Sequence, residues 1–152
     1  MVSISVVTAT DIAQFEQDGV VCLRNAFGHD WIELLRAATE SALSRPGPDY
    51  ENYTAPGGAG RFVGDINLWK RWPTFAEFAM YSPAATIAGE LMRATRVNFL
   101  YDQLLVKEPG TRERTPWHQD QPYWTFAGRQ LCSIWLPLDP VDQETSLKYV
   151  IG

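Results

Sequence analysis

The apolar pattern changes period near Arg96, and that change limits the folds open to this 152-residue chain. Before Arg96, hydrophobic residues recur at helical spacing. Thr10 can cap a short helix over residues 11–17, with Ile12 and Phe15 on one side. Asp18-Gly19 ends it, and residues 20–23 read as a strand. Asp30 can cap a second helix over residues 31–43, where Ile32, Leu35, Ala38 and Leu43 fall near helical spacing. Residues 73–80 predict a further short helix. Ser82-Pro83 starts another, with Ser as cap and Pro at the first helical position, carrying Ile87, Leu91 and Met92. After Arg96, strand formers dominate residues 97–107 and 130–136. Leu138-Asp139-Pro140 is a turn, and residues 146–151 begin another strand. Helices first and strands second predict an α+β fold with an antiparallel sheet or barrel in the second half.

Residues 44–60 interrupt this pattern with Pro46, Gly47, Pro48, Pro56, Gly57, Gly58 and Gly60. A loop this long in a compact domain is a lid, a binding loop or disordered. Its glycines are not a phosphate-binding loop, because no Lys-Ser/Thr follows them. The length suits a single domain over residues 1–152. A net charge of −5 without a basic run argues against nucleic acid or an anionic membrane as partner. The N-terminus lacks a signal-peptide pattern, and no window is apolar for long enough to span a bilayer. Cys22 and Cys132 lie among apolar neighbours and read as reduced core thiols, which makes the cytoplasm the expected location.

The chemistry concentrates in Thr115-Pro-Trp-His-Gln-Asp-Gln-Pro-Tyr-Trp124. On a strand, His118 and Asp120 share a face with Cα atoms roughly 6.6 Å apart, so both can reach one metal ion. Imidazole and carboxylate are two members of the 2-His-1-carboxylate triad that holds non-haem Fe(II). A bare His-x-Asp also occurs in ordinary surface turns, so its surroundings carry the argument. Three of the six tryptophans, Trp117, Trp124 and Trp135, flank the pair. Trp124 and Trp135 are expected to wall a pocket rather than fill a core.

Taken with Tyr101-Asp-Gln-Leu-Leu-Val-Lys-Glu-Pro-Gly110 and Gln130-Leu-Cys-Ser-Ile-Trp-Leu-Pro-Leu-Asp-Pro140, this stretch resembles the phytanoyl-CoA dioxygenase family of Fe(II)- and 2-oxoglutarate-dependent oxygenases. Phe15-Glu-Gln-Asp-Gly-Val-Val-Cys-Leu-Arg24 is similar to the family's first helix and strand. The resemblance implies helices packed on a double-stranded β-helix, a cupin-like jelly-roll barrel. It implies that His118 and Asp120 are iron ligands. Trp135 matches a position beside 2-oxoglutarate, and Gln103, Leu105 and Lys107 share one face of the strand that lines the cosubstrate site. Lys107 also reads as a solvated lysine at a strand end, and Asp102 is expected to point away from that face into solvent. Trp124 matches an aromatic position near substrate, and Tyr123 can bond substrate or cap the barrel mouth. The implied reaction joins 2-oxoglutarate, O2 and a small organic substrate, giving succinate, CO2 and a hydroxylated product. The metal carries the hard chemistry and the protein orients it.

The family pattern also has a distal histidine and, after it, an arginine that pairs with the far carboxylate of 2-oxoglutarate. Neither is matched here. His29 sits at a predicted helix start, and Arg112 and Arg129 read as surface residues. The chain is therefore expected to be the N-terminal part of such an oxygenase, truncated within a strand. An incomplete barrel exposes strand edges that can pair with a second copy. A rival reading makes the chain an inactive fragment or a non-catalytic cupin-like binding module. A weaker one makes it a cupin that is metal-free or holds a different divalent metal.

Overall fold

The computed structural model describes residues 6–125 and 127–152. Helix α1 spans Ala9–Asp18, two residues longer on its N-terminal side than its apolar pattern predicts. Its cap is Thr8, not Thr10. The Thr8 Oγ1 accepts from the Asp11 N–H at 3.2 Å, and the Asp11 carboxylate accepts from the Thr8 N–H at 2.8 Å. This reciprocal capping box satisfies two N–H groups that the first turn leaves without partners, which is why it outcompetes Thr10. Gly19 ends α1 at φ 73°, a left-handed conformation suited to glycine, and donates to the Phe15 carbonyl.

Helix α2 spans His29–Ser44 with Gly28 as N-cap, so Asp30 lies inside the first turn instead of capping it. There its charge complements the helix dipole. Helix α3 is Pro73–Tyr81 and α4 is Ala84–Leu91. Pro83 is the N-cap of α4 and Ala84 its first residue, so Ser82 lies one position ahead of the cap it was expected to form, although its Oγ accepts from the Ala84 N–H at 3.3 Å.

Three strands, β1 (Glu51–Asn52), β2 (Phe62–Ile66) and β3 (Gln103–Lys107), form an antiparallel sheet in the order β1-β2-β3. The architecture is therefore mixed α and β, with a small sheet that does not close. Two strands precede Arg96, contrary to the simple division of helices before and strands after. The β2 sequence Phe62-Val-Gly-Asp-Ile66 is buried along most of its length and does not alternate, so it lacks the period-2 signature of a half-buried strand. Residues 20–23, 130–136 and 146–151 form no strand. Strand propensity is realised only where a neighbour supplies ladder bonds, and these segments run without one among the described residues.

The core lies in two parts. Leu35, Ala38 and Ala42 of α2 meet Leu68 and Phe75, with Leu104, Leu136 and Leu138 packed against them. Val7, Ile87 and Leu91 form the second part, where α1 and α4 meet. Arg36 of α2 holds the 138–139 bend by donating to the Leu138 carbonyl at 2.7 Å. The sheet register follows this packing. Val63, Asp65, Leu104 and Val106 share the face towards α2, while Gln103, Leu105 and Lys107 share the exposed face. Cys22 is exposed and Cys132 half-buried, and both are free thiols, so Cys22 is not the core residue its neighbours suggest.

Candidate metal centre beside the β3 strand

His118 and Asp120 do not lie on a strand. They occupy the irregular segment ahead of a short 3-10 helix, Gln121–Tyr123, with Asp120 as its N-cap. The loop nevertheless brings their side chains together. His118 Nε2 lies 3.2 Å from Asp120 Oδ1. His118 Nδ1 lies 2.8 Å from the Pro116 carbonyl oxygen. A carbonyl only accepts, so Nδ1 carries a proton, and Nε2 is the nitrogen directed at the carboxylate. Two lone pairs at this distance repel unless a cation, either a proton or a metal ion, sits between them. Ligands at about 2.1 Å from a common metal and about 90° apart are separated by about 3.0 Å. The donor set and its spacing fit a divalent metal.

The surroundings complete part of the site. The Ser133 hydroxyl donates to Asp120 Oδ2 at 3.2 Å, leaving Oδ1 for the His118 side. The Tyr123 ring stands edge-on to the imidazole, with centroids 6.4 Å apart. Trp124 Nε1 donates to the Tyr101 hydroxyl at 3.1 Å, which ties the 3-10 helix back to the approach to β3. Burial, and then the charge of Asp120, hold the Tyr149 phenol above its ordinary pKa. Ser133 and Tyr149 were not expected at the site. Ser133 shares its parity with Trp135, and that spacing was the available signal. Tyr149 has no local signature, since only the chain path brings it near.

Gln103 and Lys107 lie on the exposed face of β3, as their parity predicts. Lys107 Nζ donates to the Glu113 carbonyl and the Thr115 hydroxyl, each at 3.2 Å, and lies 4.4 Å from the centre of the Phe62 ring. It is thus engaged with protein groups rather than only solvated. Trp135 is 47% exposed, while its neighbour Leu136 packs into the core, so Trp135 is not plain core filling. Among the described residues, neither Gln103 nor Trp135 bonds to His118 or Asp120.

Asp102 corrects an expectation. Its carboxylate does not point to solvent. It accepts from the Trp69 N–H at 3.0 Å, and burial pushes its pKa up against those backbone bonds. The contact fixes the start of β3 against the Leu68–Lys70 turn. His29 stands exposed at the start of α2, 3.9 Å from Glu33, and does not join the pair. Among the described residues, no cluster of three or more His, Cys, Asp or Glu side chains is placed to hold a metal.

The family model described as phytanoyl-CoA dioxygenase matches residues 15–150, which include the pair, β3 and the Ser133–Trp135 segment. The chain belongs to the phytanoyl-CoA dioxygenase family. This places it in the superfamily of Fe(II)- and 2-oxoglutarate-dependent oxygenases; dioxygenases of the family generally use Fe(II), 2-oxoglutarate and O2. No curated protein and no solved structure matches the chain. No helix of the described residues is long and apolar enough to cross a membrane.

Proposed function

We propose that the chain carries part of the active site of an Fe(II)- and 2-oxoglutarate-dependent hydroxylase acting on a small organic molecule. The observation that carries this reading is the His118–Asp120 pair. Its two side chains meet at 3.2 Å, with the imidazole oriented by the contact of Nδ1 with the Pro116 carbonyl. A metal bound there, with 2-oxoglutarate and O2, supplies oxidation of a C–H bond. The overall reaction converts 2-oxoglutarate, O2 and R–H into succinate, CO2 and R–OH. His118 contributes a neutral, oriented nitrogen. Asp120 contributes one negative charge, so two donors leave a dication net positive and attractive to a dianionic cosubstrate. Gln103, Lys107 and Trp135 form the cosubstrate side, on the open face of β3 and the segment beside it. Tyr123 and Trp124 form the substrate side. In this reading residues 1–152 act as one domain, and the open sheet is part of a jelly-roll barrel.

Mn(II) titration of the chain tests the reading, with binding followed by calorimetry and by paramagnetic broadening of the His118 ring signals. Wild type is expected to bind one ion, more tightly with 2-oxoglutarate present, and His118→Ala and Asp120→Ala to lose that binding. Binding that survives both substitutions sinks the ligand assignment. A folded wild-type chain that binds no Mn(II), with or without 2-oxoglutarate, favours the non-catalytic module.

A further inference from the structure

The Gly- and Pro-rich stretch 44–60 reads from sequence as a lid or a disordered loop. In the fold it is fastened at successive points. The Gly47 N–H reaches the Asp65 carboxylate at 3.3 Å, and the Tyr53 N–H reaches the Phe62 carbonyl at 2.8 Å. Ala55-Pro-Gly-Gly58 is a type II turn, closed by the Gly58 N–H on the Ala55 carbonyl at 3.0 Å, with Gly57 at φ 78°. The Ala55 N–H donates to Glu113 Oε1 at 2.8 Å. Gly60 lies against the 108–111 backbone so closely that a Cβ there would come within 2.5 Å of the Pro109 carbonyl oxygen.

Glu113 is five residues before His118, and a second set of bonds starts there. Lys107 Nζ, at the end of β3, takes the Glu113 carbonyl and the Thr115 hydroxyl as acceptors. The next residue, Pro116, supplies the carbonyl that fixes the His118 tautomer. A bonded path therefore runs from the type II turn through Glu113 to Lys107 and Thr115, and so to the imidazole. Ammonium has three donors, so two can serve this path and one remains for a carboxylate.

We propose that Lys107 and Thr115 are positioning residues for His118. They anchor the segment that presents the Pro116 carbonyl, and so keep Nε2 directed at the Asp120 side. This rests on the metal-ligand reading of His118, and it assigns Lys107 a role separate from any contact with cosubstrate. Ligand-orienting contacts are worth 10–100-fold in metal affinity when lost. A support one step further out falls at the low end of that range.

The test uses the full chain, labelled with ¹⁵N, at one fixed pH. With two histidines in the sequence, long-range ¹H–¹⁵N spectra resolve each ring, and a His29→Gln variant assigns them. Wild-type His118 is expected to carry a proton on Nδ1. Thr115→Val keeps the side-chain shape, removes the acceptor and leaves Lys107 in place. It should shift His118 towards the Nε2–H form and weaken Mn(II) binding about 10-fold, in the absence of 2-oxoglutarate. Lys107→Met should do the same, and Lys107→Arg should restore most of both. An unchanged tautomer and unchanged Mn(II) affinity in Thr115→Val and Lys107→Met overturn the proposal. If Mn(II) fails to broaden the wild-type ring, the metal reading is lost, while the tautomer comparison still decides the positioning role.

Discussion

Leu68→Ala probes how firmly the site's strand is anchored. Leu68 is fully buried, at 0% exposure, in the cluster formed by Leu35, Ala38, Ala42 and Phe75. The substitution removes three carbons from this interior. At about 0.8 kcal/mol per buried carbon, the transfer contribution is about 2.4 kcal/mol. Two of the neighbours are alanines on one helix, which are too short to move into the gap. The cavity therefore persists and brings the loss to about 3–4 kcal/mol. For a chain of this length, that lowers Tm by about 10 °C. Leu105 on the open face of β3 is 49% exposed, so Leu105→Ala is expected to cost about 1 kcal/mol or less. Urea unfolding of both variants, read by tryptophan fluorescence and circular dichroism with unchanged m-values, measures the difference. Equal losses for the two leucines would refute the contrast between the packed cluster around Leu68 and the exposed side chain of Leu105.

Two other predictions address the supports of the site. Burial raises the Asp102 pKa above its ordinary 3.8, so the folded chain keeps this proton to higher pH than the unfolded chain does. The linked stability is complete below that ordinary value and is lost as pH rises through the folded-state pKa. Asp102→Asn cannot titrate, so the stability of wild type relative to this variant should fall as pH rises above about 4; a flat difference across that window would contradict the burial of the carboxylate. At Gly60, an added methyl meets the Pro109 and Glu108 carbonyl oxygens at 2.5 and 2.8 Å. Because backbone must move, Gly60→Ala should cost about 1–3 kcal/mol in the same urea assay, and a neutral result would show the 55–60 turn to be loosely docked.

The positions of the four helices were readable because helical periodicity and capping are local. Even so, Thr8 displaced Thr10 as the first cap through a reciprocal bond with Asp11 that the apolar pattern alone did not reveal. Strands were read less well. Residues 130–136 have strand composition and no ladder, whereas Phe62–Ile66 has partners on both sides and no alternation. Ladder bonds depend on distant residues, so composition cannot decide them.

The sequence by itself determined the chemistry on offer: a His-x-Asp pair among aromatic residues, within a stretch that belongs to a known oxygenase family. It also determined that Gln103, Leu105 and Lys107 share a face, because strand parity is fixed by the backbone. Tertiary structure decided the rest. It set His118 and Asp120 facing each other from a loop, supplied the Pro116 carbonyl that fixes the tautomer, and brought Ser133 to the carboxylate. It turned Asp102 inward and bound the Gly-rich stretch to Glu113. The contacts of Ser133, Asp102 and Glu113 depend on where the chain returns in space, and those within residues 116–120 on a loop conformation in place of the expected strand; no local pattern of residues specifies either.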